Sequence, residues 1–160
     1  MYNIEILSDI HYYKCFNLLL KNKKDLSYFM ELGWSENQFK LQFNNETNFS
    51  FGLFEFDKIN GFVIGNSITI EKKIEYEILL IYVTNKLRKL GYATELLNNI
   101  HLFLKKKKLK KIYLEVAANN QKAINLYIKN GYIKKGIRKN YYNFKHNKFD
   151  AFFFEKIINE

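Results

Sequence analysis

Two hydrophobic periods alternate along this chain. Residues 2–7 alternate apolar and polar, as a half-buried strand does. Asp9 can then cap a helix that presents Ile10, Tyr13, Phe16 and Leu20 to a core. Ser35-Glu36-Asn37-Gln38 fits a capping box, with Trp34 and Phe39 placed as its hydrophobic staple. Residues 48–56 and 62–70 read as two strands of a hairpin turned at 57–61, with Asn60-Gly61 as the turn signal. Another strand runs to Val83. The helix after Gly91 carries Leu96, Leu97, Ile100, Phe103 and Leu104 on one face. Residues 112–117 form a strand. A helix from Asn119 or Asn120 buries Ala123, Ile124, Tyr127 and Ile128, and Gly131 suits its C′ position. Residues 132–137 and 149–157 complete the sheet. The order predicts an α+β (mixed α/β) architecture, a mixed sheet with helices on both faces. With no linker, repeat or Pro/Gly-rich boundary, residues 1–160 read as one domain.

Composition narrows the class. Apolar residues make up 48% of the chain, and no apolar run approaches the ~18 residues of a membrane span. Asn3, Glu5 and Asp9 are unlike a signal peptide. A lone cysteine, Cys15, excludes an internal disulfide framework and fits a reducing, cytoplasmic setting. A net charge of +10 points by itself to an anionic partner. The cations argue otherwise, because only Arg88 and Arg138 are arginine and nucleic-acid readers favour arginine for bidentate contacts. Proline is absent while Lys, Asn, Ile, Phe and Tyr abound, the pattern of A/T-rich codons. No nucleic acid is therefore required. The run Lys105-Lys106-Lys107-Lys108 suits the negative end of a helix dipole, with RNA contact as the alternative.

Candidate chemistry clusters between residues 78 and 133. Gly91 opens a helix after a strand and a short connection. The N–H groups of Lys89, Leu90, Gly91, Tyr92, Ala93 and Thr94 would form a helix N-terminus suited to a phosphate or pyrophosphate. Gly91 and Ala93 let an anion approach the backbone closely, although a plain strand-to-helix turn explains the glycine equally well. The segment is neither a Rossmann fingerprint nor a P-loop. Glu115 alternates with Leu114 and Val116 and so faces away from both. Such a carboxylate either meets solvent or, partly buried beside a cofactor, gains a raised pKa and serves as a base. Tyr127 on a buried helix face is either core or a proton donor to a leaving thiolate. Cys15 reads as packing, and His11, His101 and His146 are too scattered for a metal site.

These residues resemble the GNAT acetyltransferase superfamily. Its cofactor signature, Q/R-x-x-G-x-G/A, is met by Arg88-Lys89-Leu90-Gly91-Tyr92-Ala93. The ribosomal-protein alanine N-acetyltransferases (RimI-type) are more similar still. Their ordered pattern is present in Leu114-Glu115-Val116, Asn120, Ala123-Ile124-Asn125-Leu126-Tyr127, Gly131-Tyr132, Arg138-Lys139-Asn140-Tyr141-Tyr142, Asp150-Ala151 and Trp34-Ser35-Glu36. Leu90, Asn85 and Gly33 depart from it. The resemblance implies a GNAT-like twisted, mostly antiparallel sheet, acetyl-CoA as donor, and a protein N-terminus as acceptor, here the N-terminal alanine of a ribosomal small-subunit protein. It further implies that the backbone of Ile81, Tyr82 and Val83 holds the acetyl group and pantetheine, and that the 89–94 backbone behind Arg88 holds the pyrophosphate. Asn120 would contact the cofactor. Glu115 would be general base and Tyr127 general acid beside the cofactor, while Trp34, Tyr141 and Tyr142 would border the peptide. A monomer or weak dimer is expected. Another amine (a lysine side chain, polyamine or small metabolite) and a non-catalytic acetyl-CoA- or RNA-binding module are the alternatives.

Overall fold

A computed structural model describes residues 1–158. Seven strands form one sheet: β1 (Tyr2–Leu7), β2 (Ser50–Glu55), β3 (Lys58–Ile70), β4 (Lys73–Val83), β5 (Lys111–Ala117), β6 (Ile133–Phe144) and β7 (Asn147–Ile157). The strand order is β1-β2-β3-β4-β5-β7-β6. Neighbours are antiparallel except β4 and β5, which run parallel. A parallel pair needs a crossover, and α4 (Tyr92–Lys106) supplies it. The other helices are α1 (Tyr12–Leu20), α2 (Lys23–Glu31), α3 (Glu36–Phe43) and α5 (Gln121–Lys129).

Strand alternation divides the core in two. Phe62 and Ile64 of β3, with Leu80 and Tyr82 of β4, pack on one face with Phe16, Leu19 and Phe39 from α1 and α3. Val63 and Val83 point the other way, toward Leu96, Leu97 and Ile100 of α4 and Ile124 and Tyr127 of α5. The alternation breaks once. Ile64 pairs with Leu80 but Gly65 pairs with Ile78, so Leu79 is one residue too many in β4. A bulge of this kind bends its strand. Pairing between β4 and β5 also ends at Ile78↔Leu114. Beyond that point the two strands part, and the sheet splits into a V.

Several expectations need correction. Asp9 does not cap α1. A 3-10 turn, Asp9–His11, comes first, held by Ser8 N–H donating to His11 Nδ1 at 3.0 Å. This resets the helical phase, so Cys15, Phe16, Leu18 and Leu19 are buried while Ile10, Tyr13 and Leu20 are exposed. Asn60-Gly61 is not the hairpin turn. The chain reverses at Phe56-Asp57, with Phe56 at φ 51°, and Asn60-Gly61 lies inside β3. The glycine is needed there for another reason: a Cβ would lie 2.9 Å from the Tyr82 carbonyl of β4. On α5 the buried face centres on Ile124 and Tyr127, leaving Ile128 exposed past its edge. Strand β6 runs well beyond 137, to Phe144, with an irregularity between Arg138 and Tyr142 where Asn140 takes φ 52°. Helix α2 was unforeseen, though Asn22 caps it by accepting from Lys24 and Asp25 N–H at 3.1 Å. Half of the capping box at α3 forms: Ser35 Oγ accepts from Gln38 N–H at 3.2 Å, but Ser35 N–H donates to the Gly33 carbonyl at 3.0 Å rather than to Gln38. Trp34 is set edge-on to Phe39, as the staple predicts.

Candidate active site

Backbone polarity follows from strand pairing. Thr84 N–H donates to Asn60 C=O at 3.0 Å, which makes 60/84 a bonded position. In an antiparallel ladder the next pair, Gly61↔Val83, is then non-bonded, as is Val63↔Ile81. The N–H and C=O of Ile81 and Val83 therefore point away from β3 and into the V, while those of Tyr82 point toward β3. The Val83 carbonyl is taken by Arg88 Nε at 2.9 Å.

Arg88 also binds Asp25 of α2 at 2.7 Å, and Tyr82 donates to the same carboxylate oxygen at 2.8 Å. This ties the end of β4 to α2. The loop after Arg88 curls, with Lys89 at φ 65° and Gly91 at φ 91° on either side of Leu90. Alternating signs of φ turn successive N–H groups toward one point and favour an anion. Among the described residues no side chain caps α4, and none comes within 4 Å of a Cβ built on Gly91. The first N–H groups of a 15-residue helix are thus left for an incoming acceptor. These residues fit a pyrophosphate. Tyr92 rests its ring on Tyr2 at 4.8 Å, and Thr94 Oγ1 accepts from Asn130 Nδ2 at 3.3 Å.

The V opens into a cavity of about 500 Å³. It gathers Ile81, Glu115, Asn120, Tyr127, Trp34 and the adjacent pair Tyr141 and Tyr142 from six separate places in the sequence. The side chains of Tyr82, Val83 and residues 88–94 lie outside it. Tyr127 is buried, and burial first, then the Tyr28 and Tyr142 hydroxyls, push its pKa up. It stays protonated at neutral pH. Glu115 is 16% exposed at its side chain and pairs with Arg138, Nε to Oε1 at 3.0 Å. Its second oxygen, Oε2, is not part of that contact.

Glu77 of β4 was missed. It pairs in register with Tyr113, two residues from Glu115 on the neighbouring strand, and shares the cavity. Burial and then the charge of Glu115 push its carboxyl up, against an opposing pull from Arg138. The cavity thus holds a raised carboxyl at Glu77. Local alternation, with Glu75 and Glu77 set among Ile74, Tyr76 and Ile78, was its only trace in the sequence. Tyr28 of α2 was also missed. Its hydroxyl accepts from Asn120 Nδ2 at 3.1 Å, while Asn120 Oδ1 caps α5 through Ala123 N–H at 3.2 Å.

An anion cradle at one end of a split sheet, with a carboxylate and a buried phenol along the split, is the layout of an enzyme that transfers a group from a phosphate-bearing donor. A family model described as the acetyltransferase (GNAT) family matches residues 13–132. The chain belongs to the GNAT acetyltransferase family and is an acetyl-CoA-dependent N-acetyltransferase. No curated protein matches it in sequence. Among solved structures, the ribosomal-protein-S18-alanine N-acetyltransferase from Escherichia coli superposes with a TM-score of 0.83 at 24% identity, covering 100% of this chain and 96% of that one. Arabidopsis thaliana NAA60 in complex with acetyl-CoA gives 0.84 at 17% identity, with 100% of both chains covered. A probable acetyltransferase from Staphylococcus epidermidis gives 0.83 at 20% identity, covering 99% and 100%. At these identities the likeness is one of fold.

Proposed function

We propose that this protein acetylates the α-amine at a protein N-terminus, with the N-terminal alanine of a ribosomal small-subunit protein as acceptor in the cytoplasm. One observation carries the reading. Glu115 and Tyr127 line a single cavity whose outer rim is aromatic, with Trp34, Tyr141 and Tyr142. A rim of this kind suits an extended peptide, and the S18-alanine enzyme of Escherichia coli has the same fold.

Acetyl-CoA supplies a thioester whose acyl carbon accepts the amine. The 89–94 backbone binds the pyrophosphate, and the backbone of Ile81 and Val83 aligns the pantetheine as an added strand would. The Val83 N–H, facing the V, stabilises the oxyanion. Asn120 gives the second hydrogen of Nδ2 to the cofactor. An α-amine has a pKa of roughly 7.7–8.0, so part of it is neutral at pH 7. Glu115 collects its remaining proton through Oε2, directly or through a water. Glu77 adds a second carboxylate, which makes the amine end of the cleft attractive to a cation in a chain of net charge +10. Tyr127 gives its proton to the departing thiolate. Fixing amine and thioester together supplies much of the remaining acceleration.

The test is thiol release from acetyl-CoA with three acceptors: a peptide with a free N-terminal alanine, the same peptide blocked at its terminus and carrying an internal lysine, and a polyamine. Turnover is expected on the free terminus alone. Preference for the polyamine or the blocked peptide would contradict the reading.

A further inference from the structure

A second cavity, of about 360 Å³, lies beside the first. Its walls come from α2, from Asn119 ahead of α5, and from the end of β6 with the turn into β7. The two cavities share Tyr28 and Glu31. Tyr28 touches both sides. Its hydroxyl reaches Asn120 of the first cavity at 3.1 Å. Its ring lies flat on Phe144 of the second, with centroids 5.2 Å apart and planes 10° from parallel. Phe29 closes on its edge at 5.2 Å. A half-buried ring held at its tip, its face and its edge has few rotamers left to it.

We propose that Tyr28 determines which acceptors are admitted, by walling the reaction cavity off from the second cavity and so limiting the first residue of the acceptor to a small side chain. This rests on the reading that the acceptor is an α-amine. The amine must come to Glu115, and the side chain on the same carbon must then fit the space between Glu115, Tyr28 and the rim. With Tyr28 in place that space ends at the ring. With the ring removed it continues into the second cavity, where Phe144 and Phe149 offer an apolar wall. Rejection by a wall is steric and does not depend on the hydroxyl. Tyr28→Phe should therefore keep the selectivity and Tyr28→Ala should lose it.

The experiment measures kcat/KM of the full chain on peptides that differ only in the first residue, Ala, Ser, Met or Phe, with the KM for acetyl-CoA as a check on the donor half of the site. The wild type should favour Ala over Phe by at least about tenfold, the scale on which pocket size discriminates. Tyr28→Ala should bring that ratio to within about twofold by raising the rate on Phe and Met, and Tyr28→Phe should retain it. Should Tyr28→Ala melt out, Tyr28→Leu, which shortens the wall but keeps an apolar contact with Phe144, carries the same expectation. An unchanged ratio in the shortened variants overturns the proposal, and so does loss of selectivity in Tyr28→Phe. If the wild type turns over only other amines, the α-amine reading fails and the wall is tested separately: the same ratios, read on primary amines of graded bulk, decide for or against Tyr28.

Discussion

At the residue scale the proposed chemistry depends on how Glu115 is shared. Arg138, 60% exposed at its side chain, holds one carboxylate oxygen, and the charge of Glu115 is felt by Glu77 on the neighbouring strand, whose carboxyl burial and that charge push up. Glu115→Gln keeps the shape and removes the base, so kcat should fall by about 10²–10⁴ while the melting temperature holds. Tyr127→Phe should lower kcat with little change in the KM for peptide, since the hydroxyl acts only on the departing group. Steady-state kinetics on one peptide check both, and a KM effect without a kcat effect would reassign either residue to binding. Both residues could be picked out as candidates because each sits in a local pattern: an acidic residue between Leu114 and Val116, and a tyrosine on an apolar helix stripe. Glu77 could not, because it meets Glu115 only through the parallel pairing of β4 with β5. No spacing along the chain encodes that.

At the scale of elements, helices with a cap and a clear stripe were readable, and segments placed by their neighbours were not. Helix α4 is buried through Leu96, Leu97, Ile100 and Leu104, as its period predicts. Helix α2 has no fully buried residue, so its stripe is faint, yet it brings Tyr28 and Asp25 to the site. The hairpin turn was misplaced because Asn60-Gly61 is a strong turn signal in isolation. The close approach of β4 at Tyr82, rather than a reversal, is what demands that glycine. One contact tying α4 to the connection between α5 and β6 is titratable. His101 Nε2 lies 3.0 Å from the Tyr132 hydroxyl, and burial, then Lys156, lower its pKa from 6.5 to about 4. Above pH 6.5 both the folded and unfolded forms are neutral at this group. Below it the unfolded chain takes up the proton first, so stability should fall as the pH drops from 6.5 to about 4. His101→Gln should flatten that part of the curve. Melts across this window check it, and an unaltered slope would place the acid sensitivity elsewhere.

For the whole molecule, the mixed sheet with helices on both faces was legible from the order of strand and helix patterns. The V was not, because it depends on the extra residue at Leu79 and on pairing that stops at Ile78↔Leu114. In the proposed reading the split sheet gives cofactor and acceptor one shared cleft, with the anion cradle at the end of β4 and the acceptor rim built from β6 and the segment around Trp34. No helix among the described residues is long and apolar enough to cross a membrane. The central claim is that this cleft presents an α-amine to the acetyl group. The most direct measurement is tandem mass spectrometry on one peptide that carries both a free N-terminal alanine and an internal lysine, after incubation with the protein and acetyl-CoA. A single acetyl group on the alanine nitrogen, absent with Glu115→Gln, is the predicted result. An acetyl group on the lysine with the terminus untouched would contradict the account.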